Sequence, residues 1–175
     1  MRGGFVFYGG LLGGLFGIYL GGKILKIPVW EYAQNTIPVI PLAHGFGRLG
    51  CLMAGCCYGV PYDGAGAIAY TTSIAAPLNT PLFPVQGLEA VCEFMVSMIL
   101  CFYIAHCRKH KRKLYSVEIY LVCYACIRFV LEFLRYDFIE RGAILGMSTS
   151  QWISIALIVI VVINRAWKSK KKSRI

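Results

Sequence analysis

The chain has 175 residues, of which 58% are hydrophobic, and its mean hydropathy is +0.64. Long apolar runs in such a sequence exclude an ordinary soluble domain and favour an integral membrane protein. The net charge of +10 does not indicate nucleic-acid binding, because the basic residues are confined to a few short stretches between apolar segments.

Five apolar segments reach the roughly 20 residues that a membrane-spanning helix needs. In chain order they are 4–22, 36–57, 86–106, 115–134 and 148–166. The sequence therefore predicts an all-α, polytopic membrane protein with about five transmembrane helices, which form a single integral-membrane domain over the whole chain. The first segment follows MRGG without a cleavage signature, so we expect a retained span.

Basic residues cluster beyond the first, third and fifth predicted spans. The clusters are Lys23 with Lys26, the run from Arg108 to Lys113, and the run from Arg165 to Arg174, and together they hold 13 of the 18 Lys and Arg residues. All three fall on one face, which the positive-inside rule makes cytoplasmic. We therefore expect a cytoplasmic C-terminus, with the N-terminus and the loops 58–85 and 135–147 outside.

The segment PLAHGFGRLGCLMAGCCYG, residues 41–59, carries ionisable groups into the second predicted span. His44 and Arg48 are four residues apart and would share one face of a helix. Charged groups are costly inside a bilayer, so they normally face a protein or water-filled interior and mark a site. Glycines along the segment, Gly50 and Gly55 among them, allow a backbone or a ligand to approach closely.

A second ionisable stretch, YACIRFVLEFLRYD, covers residues 124–137. Tyr124, Arg128, Glu132 and Arg135 follow one another at spacings of four, four and three residues. In a helix, their side chains would therefore lie along one face. We expect Glu132 to pair with one of the two arginines. Because a guanidinium presents a rigid fork of donors that matches phosphate oxygens, the arginines indicate a site for an anionic phospholipid. An ion pair that only locks helices together is the alternative.

Several motifs follow one another along the chain in a defined order. They are FYGGLLGG at 7–14, HGFGRLGCLMAGCCYG at 44–59, FPVQGLEA at 83–90, RFVLEFLR at 128–135, and Ser150 with Gln151 before the last helix. Together they resemble the prolipoprotein diacylglyceryl transferase family, whose members act in the bacterial inner (plasma) membrane. The resemblance implies transfer of a diacylglyceryl group from phosphatidylglycerol, or another anionic phospholipid, to a cysteine thiol of a lipobox-containing prolipoprotein.

The resemblance also implies roles for individual residues. Arg48 and Arg128 would hold the lipid phosphate as it leaves, and Tyr124 and Glu132 would support them. The further candidates for substrate binding are Tyr8, Gly9, Gly10, Gly50, Cys51, Gly55, Gln86, Glu89, Arg135 and Gln151. No cofactor is expected.

The chain departs from the family pattern where proton transfer would take place. Tyr8 and Phe83 stand at histidine positions, Cys51 and Ala54 at asparagine positions, and Cys56 at a glutamate position. By the same resemblance, we expect this chain to lack the family's N-terminal portion, including its first span and the segment after it. We therefore expect a shortened and divergent member.

Two residue types offer replacement chemistry. His44 is a candidate general base. A cysteine near cations has a depressed pKa, so Cys56 or Cys57 is a candidate nucleophile for a covalent intermediate. The spacing C-x4-C-C is not a usual zinc pattern, so no metal site is expected, while a disulfide among these cysteines stays open.

The sequence thus leaves three functions open. The first is the diacylglyceryl transferase activity that the retained arginines favour. The second is a noncatalytic membrane protein that binds anionic phospholipid, which the replaced residues favour. The third is a cysteine-dependent membrane acyltransferase or redox protein.

Overall fold

The computed structural model describes residues 3–136, 143–144 and 146–172. Most of them are helical, as predicted. The α-helices are α1 (Gly3–Ile24), α2 (Val29–Thr36), α3 (Val39–Ala54), α4 (Val85–Lys109), α5 (Ser116–Leu131) and α6 (Thr149–Lys172). A single 3-10 turn, Glu132–Leu134, follows α5. Two short antiparallel hairpins pair β1 (Ile68–Ala69) with β2 (Pro81–Leu82) and β3 (Ala143–Ile144) with β4 (Met147–Ser148).

Two helices of the described part are long and apolar enough to cross a membrane, namely Val85–Lys109 and Thr149–Trp167. The pair α2 and α3 makes a third if it counts as one broken crossing. Helix α5 has only 16 residues, fewer than the roughly 20 of a full crossing. The helices therefore fit a membrane protein. Their length and composition identify two or three crossings among the described residues, so five crossings stay a prediction.

The predicted continuous span over 36–57 is wrong at both ends. The chain bends by 49° between α2 and α3, where Pro38 lacks a backbone N–H and restricts the residue before it. At the other end α3 stops at Ala54, because Gly55 adopts the left-handed conformation, with a φ of 65°, and terminates the helix. The residues after Gly55 therefore belong to a loop.

The predicted stripe over 124–137 is helical only in its first part. Helix α5 ends at Leu131, and the 3-10 turn carries the chain on to Arg135, whose backbone is extended. Gly59 pairs with Arg135 in an isolated bridge, and Val60 donates a backbone hydrogen bond to the Leu134 carbonyl (3.1 Å). The loop after α3 thus closes over the end of α5.

Close packing of α3 against α4 depends on Gly45. A Cβ atom at this position would lie 2.5 Å from the ring of Phe94 on α4, which is too close for any real contact. By contrast, a Cβ at Gly47 would meet no described atom within 4 Å. Small residues at such crossings let helices of membrane proteins approach each other.

Helix α2 is held to the start of α5 by Gln34. Its buried side-chain carbonyl accepts hydrogen bonds from the Ser116 hydroxyl (2.8 Å) and the Val117 backbone N–H (3.0 Å). Its amide group donates to the Glu118 carboxylate (2.8 Å). Gln34 therefore caps the first turn of α5, where backbone N–H groups have no partner within the helix.

Large apolar side chains cover much of the outer surface of these helices. Phe102 on α4 is 75% exposed, and Ile99 and Met98 beside it are more than half exposed. Contiguous apolar surface of this extent is unfavourable in water and fits contact with lipid. Polar side chains are instead buried between the helices, which reverses the arrangement of a soluble protein.

Candidate functional site

A fully buried carboxylate, Glu89 on α4, forms the centre of the site. It pairs with the guanidinium of Arg48 on α3 and lies 3.3 Å from Nη1 of Arg128 on α5. Three helices therefore meet at one carboxylate. The two arginines that the sequence singled out are brought together by this shared partner.

Arg128 extends the network towards α6. Its Nη2 donates to Oε2 of Glu132 (3.0 Å) and to the hydroxyl of Ser150 (3.3 Å). The expected pairing of Glu132 with a neighbouring arginine is confirmed, and the partner is Arg128, four residues earlier. Because Ser150 stands on the first turn of α6, the network joins α3, α4, α5 and α6.

His44 lies beside the two glutamates of α4. Its Nδ1 is 3.1 Å from Oε1 of Glu93, and its Nε2 is 3.9 Å from Oε1 of Glu89. The Glu93 contact has the distance of an ion pair but not the geometry of a hydrogen bond, and neither oxygen of this buried carboxylate has a hydrogen-bond partner among the described residues. The ring of Tyr124 is 5.9 Å from the imidazole. His44 is 30% exposed, so it is the most accessible member of the cluster.

The buried charges of the site balance. Among the described residues of this cluster, the arginines are Arg48, Arg128 and Arg135, and the glutamates are Glu89, Glu93 and Glu132. Arg135 is 3% exposed and lies near enough to Arg48 for their charges to interact. Burying charges without partners is prohibitively costly, so a balanced set is what a low-dielectric interior requires.

One donor of the network is unused. Nε of Arg48 is buried and has no hydrogen-bond partner among the described residues, although the other end of the same guanidinium pairs with Glu89. Oε1 of Glu132 is likewise buried without a described partner. A buried donor without a partner is costly and rare in folded proteins. Such a donor marks where a ligand oxygen can bind.

Two predicted binding residues have evident structural contacts. Gln86 donates from Nε2 to the Cys56 carbonyl (2.8 Å), which ties α4 to the loop after α3. Gln151 accepts from the Ser148 backbone N–H (3.0 Å) and its own N–H donates to the Ser148 hydroxyl (3.2 Å). This reciprocal pair is a capping box at the start of α6.

The remaining predicted residues are dispersed. A Cβ at Gly50 would meet no described atom within 4 Å, whereas Gly55 is the glycine that ends α3. Sγ of Cys51 is 4.0 Å from Nη1 of Arg48. Tyr8, Gly9 and Gly10 lie on α1 where only the backbone is described, so their predicted role in binding stays a prediction.

The Cys56 thiol does not show the depressed pKa expected of an activated nucleophile. Burial, together with the neighbouring thiols of Cys51 and Cys57, raises its pKa to about 11. Very little thiolate is present at neutral pH when a thiol has such a pKa. The structure therefore weakens the hypothesis that Cys56 is a nucleophile.

Sequence reasoning missed two members of the site, Glu93 and Ser150. Glu93 is four residues after Glu89, so the two carboxylates share one face of α4. That spacing was available as a signal. Ser150 belongs to one of the motifs that resemble the family, but its contact with Arg128 follows from no local spacing, because it depends on how α5 and α6 pack.

Apolar side chains on the outside of the helices and a cluster of paired charges between them fit an integral membrane protein. The family model for prolipoprotein diacylglyceryl transferase matches residues 1–167, and the chain belongs to that family. It is 39% identical over 156 residues to phosphatidylglycerol–prolipoprotein diacylglyceryl transferase 2 of Clostridium perfringens and 37% identical over 157 residues to the corresponding transferase of Clostridium tetani.

The matches to these relatives cover 89% and 90% of this chain, but only 59% and 61% of the relatives. A transferase of Pasteurella multocida is 30% identical over a match of 178 positions, gaps included, that covers 99% of this chain and 63% of that protein. The chain thus spans about three fifths of the curated relatives' length. No solved structure matches it significantly.

Proposed function

We propose that this protein transfers a diacylglyceryl group from phosphatidylglycerol to the cysteine thiol of a lipoprotein precursor in a bacterial inner membrane. The observation that carries the proposal is the unused, buried Nε donor of Arg48, whose guanidinium shares the Glu89 carboxylate with Arg128. A phosphate oxygen fits this donor because guanidinium groups match phosphates in geometry and charge. The names of the relatives support the same substrate.

The transfer replaces a carbon–oxygen bond with a carbon–sulfur bond. The acceptor sulfur attacks the glyceryl carbon that carries the phosphate, and glycerol phosphate leaves with the electron pair of the broken bond. Arg48 and Arg128 stabilise the negative charge that develops on the leaving phosphate. Glu89 and Glu132 hold the two guanidiniums in place through the contacts described above.

His44 is the residue we propose as acceptor of the thiol proton. It is the most accessible ionisable group of the cluster, and Glu93 orients it from 3.1 Å. The balanced charges give this step a second effect. Because the arginines and glutamates of the cluster are equal in number, a proton taken up by His44 adds a positive charge that favours departure of the negative phosphate.

The site lies at one end of the helices and the basic clusters lie at the other. Along α4, Glu89 and Lys109 are 20 residues apart, which corresponds to roughly 30 Å, about the thickness of a bilayer core. Arg48 is near the end of α3 and Ser150 near the start of α6. This separation supports a site towards the outer leaflet and a cytoplasmic C-terminus.

We further propose that the chain crosses the membrane five times, as one domain over residues 1–175. The crossings are α1, the broken pair of α2 with α3, α4, α5 with its 3-10 turn, and α6. Helix α5 and the turn together cover residues 116–134, a length close to that of a full crossing.

A noncatalytic lipid-binding protein is the second candidate. The observation that favours it is the shared use of Glu89, because a carboxylate that already satisfies both arginines competes with a phosphate for them. Tyr8 and Cys56, which stand at family histidine and glutamate positions, favour it too. In this case the protein binds phosphatidylglycerol and leaves it unchanged.

Proteoliposomes containing phosphatidylglycerol and a lipobox peptide distinguish these functions. The transferase predicts a diacylglyceryl mass on the peptide cysteine, lost with Arg48→Ala and with Arg128→Ala. Arg108→Ala is the matched control. This exposed arginine lies at the opposite end of α4 from the site and donates a hydrogen bond to Asn35 of α2. Phospholipid that copurifies with a folded but inactive protein identifies the lipid-binding function, and activity in both site variants contradicts the proposed role of the arginines.

A further inference from the structure

The loop after α3 brings three cysteine thiols together. The Sγ atoms of Cys51, Cys56 and Cys57 all lie within 4.8 Å of one another, and each residue is half-buried. Three thiolates bound to one metal ion at about 2.3 Å are about 3.8 to 4.0 Å apart. The distances between the Sγ atoms therefore need to shorten by at most about 1 Å for all three to bind a single ion. We propose that these cysteines bind a thiophilic d10 metal ion, Zn²⁺ or Cu⁺.

Two left-handed residues create the cluster. Gly55, with a φ of 65°, ends α3 one residue before Cys56, and Cys57 itself has a φ of 55°. A residue other than glycine adopts this conformation rarely, and only where its surroundings hold it there. The turn reverses the chain so that Cys56 and Cys57 return to the last turn of α3. A spacing that matches no common zinc motif thus becomes a compact set of ligands.

Contacts from other segments hold the turn in place. The Ala76 backbone N–H donates to the Gly55 carbonyl (2.8 Å), and Gln86 donates to the Cys56 carbonyl (2.8 Å). The Tyr70 hydroxyl donates to the Leu52 carbonyl (2.8 Å). A Cβ at Gly55 would lie 2.6 Å from Cβ of Ser73, so the loop is packed tightly on the turn. The site is therefore preorganised, as a metal site with good affinity requires.

Charge and ligand type select the class of ion. Three thiolates carry three negative charges, so a bound Zn²⁺ leaves one and a bound Cu⁺ leaves two. Arg48, whose Nη1 is 4.0 Å from Sγ of Cys51, lies on the side where this excess charge forms. Soft thiolate ligands favour Zn²⁺ and Cu⁺ over Mg²⁺ or Ca²⁺, which prefer oxygen. Binding is a substitution in which the ion displaces the thiol protons into solvent.

The test uses the full-length protein in lipid nanodiscs after reduction, with Zn²⁺ or Co²⁺ added alone. We expect about one ion per chain by elemental analysis, and a near-ultraviolet band for thiolate bound to Co²⁺. Each of Cys51→Ser, Cys56→Ser and Cys57→Ser weakens binding at least tenfold. Cys92→Ser, Cys101→Ser and Cys126→Ser change cysteines that are distant from the cluster in sequence. We expect these controls to leave the number of bound ions per chain unchanged.

Alkylation of the wild-type chain gives a second measurement that needs no variant. Bound Zn²⁺ is expected to slow labelling of the three clustered cysteines by N-ethylmaleimide, as read by peptide mass spectrometry, and to leave Cys101 unaffected. Equal metal binding by the triple serine variant overturns the proposal. A mass deficit of two hydrogens before reduction, with no metal bound after it, also overturns it and identifies a disulfide. Neither readout depends on transferase activity.

Discussion

Glu89→Gln tests the central feature of the site, a carboxylate shared by two guanidiniums. The change keeps the shape of the side chain and removes its charge. Each hydrogen bond to a charged group contributes about 1.5 to 3 kcal/mol, and Glu89 accepts two. The amide oxygen can still accept one of them, so we expect unfolding to require about 3 kcal/mol less free energy. This value lies at the lower end for breaking a buried ion pair.

Glu93→Gln is the matched control, because it makes the same change on the same helix face at an equally buried residue. Neither oxygen of Glu93 accepts a hydrogen bond from the described residues, and its side chain contacts Nδ1 of the partly exposed His44 (3.1 Å). Because the substitution removes no hydrogen bond with the described residues, we expect a change of at most about 1 kcal/mol. Unfolding in mixed micelles, titrated with sodium dodecyl sulfate and followed by circular dichroism, measures both variants.

The same pair of variants tests whether Glu89 competes with a phosphate. Without this carboxylate the site carries one more positive charge, so added phosphatidylglycerol is expected to stabilise Glu89→Gln more than it stabilises the wild type. Neutral phosphatidylcholine is the lipid control. Equal destabilisation by the two glutamine variants, or no difference between the two lipids, would refute the reasoning from shared charge.

Three further predictions follow from single contacts. Gly45→Ala is expected to lower the free energy of unfolding by about 1 to 3 kcal/mol, because the added Cβ overlaps the ring of Phe94. Gly47→Ala is the control and is expected to leave this free energy unchanged, because a Cβ there meets open space. Equal unfolding titrations for the two variants would contradict the prediction. Gln34→Ala removes the cap of α5 and is expected to raise amide hydrogen exchange in its first turn about tenfold, an increase that should be absent from α4. His44→Gln is expected to lower kcat by 10²- to 10⁴-fold with KM little changed, and unchanged kcat would exclude it as the base.

Local spacing made part of the site predictable. The pair of Arg128 with Glu132 follows from four-residue spacing on a helix, and it forms as expected. The central role of Glu89 does not follow from any local pattern, because it depends on three helices meeting at one level. Sequence analysis proposed Glu89 only as a binding residue, through the resemblance of its segment to the family.

Helix ends were the least predictable part of the fold. Hydropathy alone extends the second span to residue 57, since Cys56 and Cys57 are apolar by composition. The helix nevertheless ends at Ala54, because Gly55 takes a left-handed conformation and its carbonyl bonds to Ala76. That end decides whether the cysteines lie along a helix or gather in a turn, and it depends on a loop about 20 residues away in sequence.

The balanced set of buried charges restricts how this chain can change over generations. Losing one partner of a close ion pair, such as Arg48 or Glu89, leaves the other charge in a medium that cannot solvate it, whereas losing both together is far less harmful. Both partners of an ion pair must therefore be replaced together, because a protein that has lost only one of them is less stable. The ionic centre is in this sense inherited as a unit, a constraint that does not apply to uncharged residues around it.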